Sequence, residues 1–235
     1  MNFLKKQFHT RYGVIARARN LSLAFFVILA TISFGVRAGA EPITIAALGD
    51  SLVQGYGLPP EHGFVPQLQS WLDVHEIDAT VTNAGVSGDT TAGGLSRVDW
   101  TLTPDVDALI VALGGNDALR GLDPTVSREN LHGILQVAAQ KDIPVLLVGI
   151  AAPANYGTEY KTEFDANYPA LASKFDTLLY PSFLSVLLSR SDQAETLRTL
   201  MQGDAIHPNK DGVSLIVEDI APMVVRLFDR AAGAQ

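Results

Sequence analysis

The chain has 235 residues, with 17 Lys and Arg against 25 Asp and Glu and no cysteine. Disulfides and thiolate metal sites are excluded, so stability must come from a packed core. Six basic residues and no acidic ones lie in the first 40 positions. Residues 41–235 therefore hold eleven basic against 25 acidic side chains, a formal charge of −14, a poor electrostatic match for nucleic acid.

The first 40 residues read as a targeting segment. Lys5, Lys6, Arg11, Arg17, Arg19 and Arg37 give it charge, and Leu21–Phe34 is an apolar stretch too short to span a bilayer comfortably. Ala38-Gly39-Ala40 is a small-x-small cleavage pattern, and no Arg-Arg pair marks the twin-arginine route. The expectation is a signal peptide over 1–40, cleaved after Ala40, with a periplasmic or secreted product and no stable membrane insertion afterwards. The alternative is a retained N-terminal anchor, which leaves the folded part facing the same side. Residues 41–235 suit one domain.

From there, apolar runs of strand length alternate with helical patterns. Strands are expected at Ile43–Leu48, Ala79–Thr82, Ala108–Leu113 and Val145–Ile150, with a weaker one at Thr177–Tyr180. The first four lack polar alternation, as strands buried on both faces of a parallel sheet do. Helices are expected at Phe64–His75, Thr91–Trp100, Val126–Lys141, Phe164–Lys174 and Gln193–Met201. Val213–Arg230 closes the chain, with Pro222 expected to kink it. The β-α-β order predicts a doubly wound α/β sandwich, in which ligands bind beyond the carboxyl ends of the strands. The polar and glycine-rich segments fall there: Gly49-Asp50-Ser51, Asn83–Thr90, Gly114–Asp117 and Pro153–Gly157 each follow a strand.

Ser51 raises the question of a nucleophile, which needs a base and a group to orient that base. Of the histidines, His62 lies in a Pro-rich loop, and His75 and His132 lie in helical patterns among polar neighbours. His207 stands apart, three residues after Asp204 and directly before Pro208. That spacing lets a carboxylate reach one ring nitrogen on a tight turn. The competing reading is a capped helix start, with Asn209 or Asp211 serving the free amides. Gly88 and Asn116 offer an unhindered amide and a side-chain donor for an oxyanion, although Gly and Asn are also ordinary turn formers. Val53 stands where a nucleophile elbow needs glycine, so "GDSLV" is not an α/β-hydrolase elbow.

Taken in order, "ALGDSLVQGYG", "NAGVSGDTT", "LGGND" and "DAIHPN" resemble the sequence blocks of the GDSL-type, or SGNH, serine hydrolases. The likeness runs from Ile43 to beyond Gly212. "GGNDALRGL" and "NYG" bring it nearest the bacterial exported arylesterases and multifunctional acyl-CoA thioesterase/lysophospholipases. The resemblance implies a flavodoxin-like three-layer α/β/α sandwich with five parallel strands. It implies Ser51 as nucleophile, His207 and Asp204 as its triad partners, and an oxyanion hole of the Ser51 and Gly88 amides with the Asn116 side chain. It calls for no cofactor and no metal, and for a small-molecule acyl ester or thioester as substrate. Alternatives are an acetyl-ester deacetylase of envelope polysaccharide and a non-catalytic envelope binding module. Leu119, Leu122, Tyr156 and Tyr160 follow strands three and four, where they either line an acyl site or pack the loops. The loop from Asp117 to Pro124 matches a substrate-gating loop of the thioesterase-like subgroup.

Overall fold

The computed structural model describes residues 42–233; the expected leader lies outside them. Five parallel strands form one sheet: β1 (Ile43–Gly49), β2 (Ala79–Gly85), β3 (Ala108–Ala112), β4 (Val145–Val148) and β5 (Leu178–Tyr180). Their order is β2-β1-β3-β4-β5. The chain leaves β1 toward one edge and returns to β3 on its other side, so the strand order reverses at β1. Gly49 pairs with Gly85 on β2 and Ala112 on β3. Three strands thus end level, and the loops that follow them emerge side by side.

The helices are α1 (Ser51–Gln54), α2 (Phe64–Val74), α3 (Thr91–Thr101), α4 (Gly115–Leu119), α5 (Pro124–Gln140) and α6 (Thr158–Phe175). They continue with α7 (Ser185–Leu188), α8 (Gln193–Leu200) and α9 (Lys210–Ala232). Alternation along the strands divides the apolar residues between two cores. Ile45, Ala47 and Ile110 face α2 and α9, where Phe64, Leu68, Ile216 and Ile220 are buried. Ala46, Leu48, Leu109 and Val111 face α3, α5 and α6, where Val98, Leu131, Ile134 and Phe164 are buried. Each fully buried aliphatic side chain contributes about 1.5–3 kcal/mol relative to exposure, which lets this layered core hold without a cross-link.

Every expected strand and long helix forms, with ends shifted by a few residues. The α6 helix begins six residues before the expected start, and α9 runs unbroken through Pro222. The turn from β1 into α1 is tight. A Cβ at Gly49 would lie 2.2 Å from a Val53 methyl, and one at Gly85 would lie 2.3 Å from the Gln54 backbone nitrogen. Glycine at both points lets the serine loop settle against the ends of β1 and β2.

Candidate active site

Ser51 is the first residue of α1. Asp50 caps that helix, its Oδ1 accepting from the Leu52 amide at 3.0 Å. Asp50 is buried, and burial pushes its carboxyl up from 3.8 to about 6, opposed by the Leu52 hydrogen bond and the attraction of His207. The Ser51 amide opens the helix and has no hydrogen-bond partner among the described residues. It is an unmatched donor beside the hydroxyl.

The histidine arrives from the opposite end of the chain. Asp204 Oδ1 accepts from the amides of both Ile206 and His207 at 3.0 Å, a turn closed by Ala205 in the left-handed region at φ 57°. Asp204 Oδ2 lies 2.6 Å from His207 Nδ1, and His207 Nε2 lies 2.9 Å from Ser51 Oγ. Partial burial works against ionisation of Asp204. The hydrogen bonds from the His207 amide and ring and the Ile206 amide outweigh it and hold the carboxyl at about 2. An ionised Asp204 can only accept, so Nδ1 must carry its proton and Nε2 is left to accept from the serine hydroxyl. The two sequence readings of this segment are both realised by different residues: Asn209 Oδ1 caps α9 at the Asp211 and Gly212 amides.

Gly88 follows β2 with φ 85°, a conformation that favours glycine, and its amide is also unpartnered among the described residues. Asn116 sits at the start of α4, behind Gly114 at φ 117°. Its Nδ2 donates one hydrogen to the Asp89 carbonyl at 2.9 Å, leaving the second for another acceptor. The neighbouring Asp117 is fully buried. It accepts from the Thr91 amide at 2.9 Å, the Thr91 hydroxyl at 2.6 Å and the Ser127 hydroxyl at 3.1 Å, joining α4 to α3 and α5. This buried network holds Asn116 in register with the Gly88 loop.

These groups open into a cavity of about 640 Å³, whose wall is otherwise largely apolar: Ile150, Pro153, Phe183, Leu184 and Leu188. Leu119 is on that wall. Leu122, Tyr156 and Tyr160 are not; of the two readings offered, lining an acyl site or packing the loops, the tyrosines follow the second. The Tyr156 hydroxyl donates to the Leu119 carbonyl at 3.0 Å and the Tyr160 hydroxyl to the Leu122 carbonyl at 2.9 Å. The two tyrosines strap the end of α4 and the loop after it to the segment after β4.

Sequence reasoning missed two groups. Phe183, Leu184 and Leu188 follow β5, a three-residue strand whose loop carries no polar signature. Gln202 joins the serine and histidine loops: its Nε2 donates to the Tyr56 carbonyl at 2.9 Å and the Pro208 carbonyl at 3.0 Å, while its backbone amide donates to the His207 carbonyl at 2.8 Å.

The chain matches the model of the GDSL-like Lipase/Acylhydrolase family over residues 47–215. It is 37% identical over 186 residues to "Esterase TesA" of Pseudomonas aeruginosa, covering 79% of this chain and 89% of the relative. It is 36% identical over 205 residues to "Thioesterase 1/protease 1/lysophospholipase L1" of Escherichia coli, covering 87% and 92%. Among solved structures, AlinE4, an SGNH-hydrolase family esterase, is 43% identical with a TM-score of 0.65, covering 80% of this chain and 98% of that one. The sheet order, the motif positions and these similarities agree, and the chain belongs to the GDSL-like lipase/acylhydrolase family.

Proposed function

We propose that the protein is an exported serine esterase that hydrolyses carboxylic esters and thioesters of acyl chains through Ser51, His207 and Asp204. The observation that carries this reading is the hydrogen-bonded series Asp204–His207–Ser51, at 2.6 and 2.9 Å, opening on a largely apolar cavity beside two amides that have no partner among the described residues. His207 Nε2 takes the Ser51 proton as Oγ bonds to the substrate carbonyl carbon. The oxyanion that forms is met by the Ser51 and Gly88 amides and the free Asn116 Nδ2 hydrogen. As the carbonyl re-forms, the bond to the leaving oxygen or sulfur breaks and His207 returns the proton to it. Water repeats the sequence on the acyl-enzyme, releasing the acid and restoring Ser51.

The apolar wall favours an acyl chain of some length over acetyl. The names of the relatives, esterase, thioesterase/lysophospholipase and arylesterase, support the range of leaving groups. Export, with a periplasmic or secreted product, rests on the composition of residues 1–40 and on Ala38-Gly39-Ala40. N-terminal sequencing of protein recovered outside the cytoplasm should begin at Glu41.

The first test is hydrolysis of p-nitrophenyl esters from acetyl to palmitoyl by the purified protein and its Ser51→Ala variant. Wild type should turn over an acyl series, and the variant should lose several orders of magnitude in kcat. Retention of activity by Ser51→Ala would sink the mechanism. Turnover confined to the acetyl ester would favour the deacetylase reading.

A further inference from the structure

The proposed oxyanion hole is assembled from three loops, and none of its three donors is adjacent to another in sequence. A single side chain ties two of those loops together, and the residue it holds by the carboxylate meets the third. Arg97, on the third helix, turns its guanidinium back to the carboxyl edge of the sheet. Its Nη2 donates to the Gly49 carbonyl at 2.8 Å, two residues before Ser51. Its Nη1 donates to the Ala84 carbonyl at 2.7 Å, near the end of β2. Its Nε donates to Asp89 Oδ2 at 2.7 Å, in the residue after Gly88. Asp89 in turn offers its backbone carbonyl to Asn116 Nδ2 at 2.9 Å. The Arg97 and Asp89 side chains are 22% and 19% exposed, so they are largely withdrawn from water, where an ion pair is screened least.

The geometry points to Arg97, with Asp89, as the positioning pair that fixes the oxyanion donors relative to Ser51. The two strand-end carbonyls place the guanidinium without reference to any ligand. The guanidinium then holds the Asp89 carboxylate, which sets the turn that carries Gly88 on the cavity wall and the carbonyl on which Asn116 rests. Three donors in fixed planar directions are needed to serve three acceptors at once. Lysine, a point charge on a flexible stem, cannot reproduce that fork. Neither residue touches the reacting atoms in this arrangement; both act through Gly88 and Asn116. Electrostatic stabilisation depends on donors already aimed at the developing charge, so slackening the frame should reach the transition state and spare ground-state binding.

This inference rests on the esterase reading above, and the experiment separates the two. Steady-state hydrolysis of p-nitrophenyl butyrate is compared for wild type, Arg97→Lys, Arg97→Ala, Asp89→Asn, Asn116→Ala and the Arg97→Lys/Asn116→Ala double variant. Ser51→Ala serves as the control for the esterase reading itself. Arg97→Lys and Asp89→Asn should each lower kcat by about 10- to 100-fold with KM within about threefold, approaching the loss of one oxyanion donor. The double variant should fall short of the product of its two single losses, because Asn116 and Arg97 serve one assembly. Affinity for an alkyl boronic acid, which takes Ser51 Oγ into a tetrahedral adduct, should weaken in step with kcat/KM. Affinity for the unreactive alkyl ether of the same length should hold. If Arg97→Ala does not fold, the two conservative variants still decide the matter. Activity of Arg97→Lys within twofold of wild type would overturn the inference while leaving Ser51 in place. So would equal losses in boronate and ether binding, or strictly multiplicative losses in the double variant, since a general loosening of the fold predicts those.

Discussion

Replacing Asp50 with asparagine should make the protein more stable at alkaline pH and should do so progressively less as the pH falls. Asp50 is 1% exposed, and its carboxyl is pushed from 3.8 to about 6 chiefly by burial. A raised value means the folded state binds the proton more tightly than the unfolded chain. The stabilisation from this group is complete below about pH 3.8 and is lost as the pH rises through about 6. Above that range the fold holds a buried carboxylate at a cost of about 3 kcal/mol, the gap of about 2 pH units at 1.36 kcal/mol each. Asp50→Asn keeps an oxygen for the Leu52 amide and cannot ionise. Relative to wild type it should therefore gain about 3 kcal/mol at pH 8 and only about 1 kcal/mol at pH 4.5, from the same linkage. At roughly 2–4 °C per kcal/mol for a domain of this size, the gain in Tm at pH 8 should be about 6–12 °C. Any pH-independent effect of the new amide shifts both values equally, so the quantity to read is the difference of about 2 kcal/mol between the two pH values. Urea denaturation of both proteins at pH 4.5, 6 and 8 measures it. A stability difference that does not change with pH would refute the assignment of this cost to Asp50.

Two further substitutions probe the loops. A Cβ at Gly88 would have room, since the nearest outside atom is Arg120 Nη2 at 4.0 Å, so the only obstacle to Gly88→Ala is the positive φ of 85°. Strain of about 1–2 kcal/mol should be relieved by rotation of the peptide away from the cavity. Activity should then drop roughly 5- to 30-fold with little change in Tm, and an unchanged kcat would remove the Gly88 amide from the oxyanion hole. For Gln202 the conservative change should be the worse one. Gln202→Glu sets a carboxylate against the Tyr56 and Pro208 carbonyls, whereas Gln202→Leu merely loses two hydrogen bonds. Both should lower kcat, the glutamate variant more, and stopped-flow acylation rates that rank them the other way would argue against a tie between the serine and histidine loops.

The fold was legible because β1, β3 and β4 are buried on both faces and so appear as unbroken apolar runs, with long amphipathic helices between them. What escaped were α1, α4 and α7, four or five residues each, too short to show a period. They are fixed instead by a cap at Asp50, a left-handed glycine at Gly114 and burial of Leu187. Ser51, Asp204 and His207 could be picked out because their chemistry demands particular residue types, two of them at a short spacing. Arg97 and Gln202 could not, since they bond to backbone carbonyls up to 48 and 146 positions away, and carbonyls carry no sequence signature. Tyr156 and Tyr160 left two readings open for a related reason. An amphipathic ring beside a candidate site reads the same whether its hydroxyl meets a ligand or a loop carbonyl.

The costs in this structure gather where the chemistry is. Asp50 is a carboxylate held in a buried setting that opposes its charge, and it caps the helix that begins with Ser51. Ala205 takes a left-handed backbone that a residue with a Cβ resists by about 1–2 kcal/mol, and the turn it closes brings two amides onto Asp204. Each strained element fixes one end of the Ser51–His207–Asp204 series, while the level strand ends and the Arg97 fork fix the donors across from it. A sheet whose β1, β3 and β4 strands are buried on both faces supplies the surplus stability that such elements consume. That accounts for why the polar residues sit at its carboxyl edge above the strand reversal: there the backbone ends are rigid, close together and free to bond to something other than the next strand.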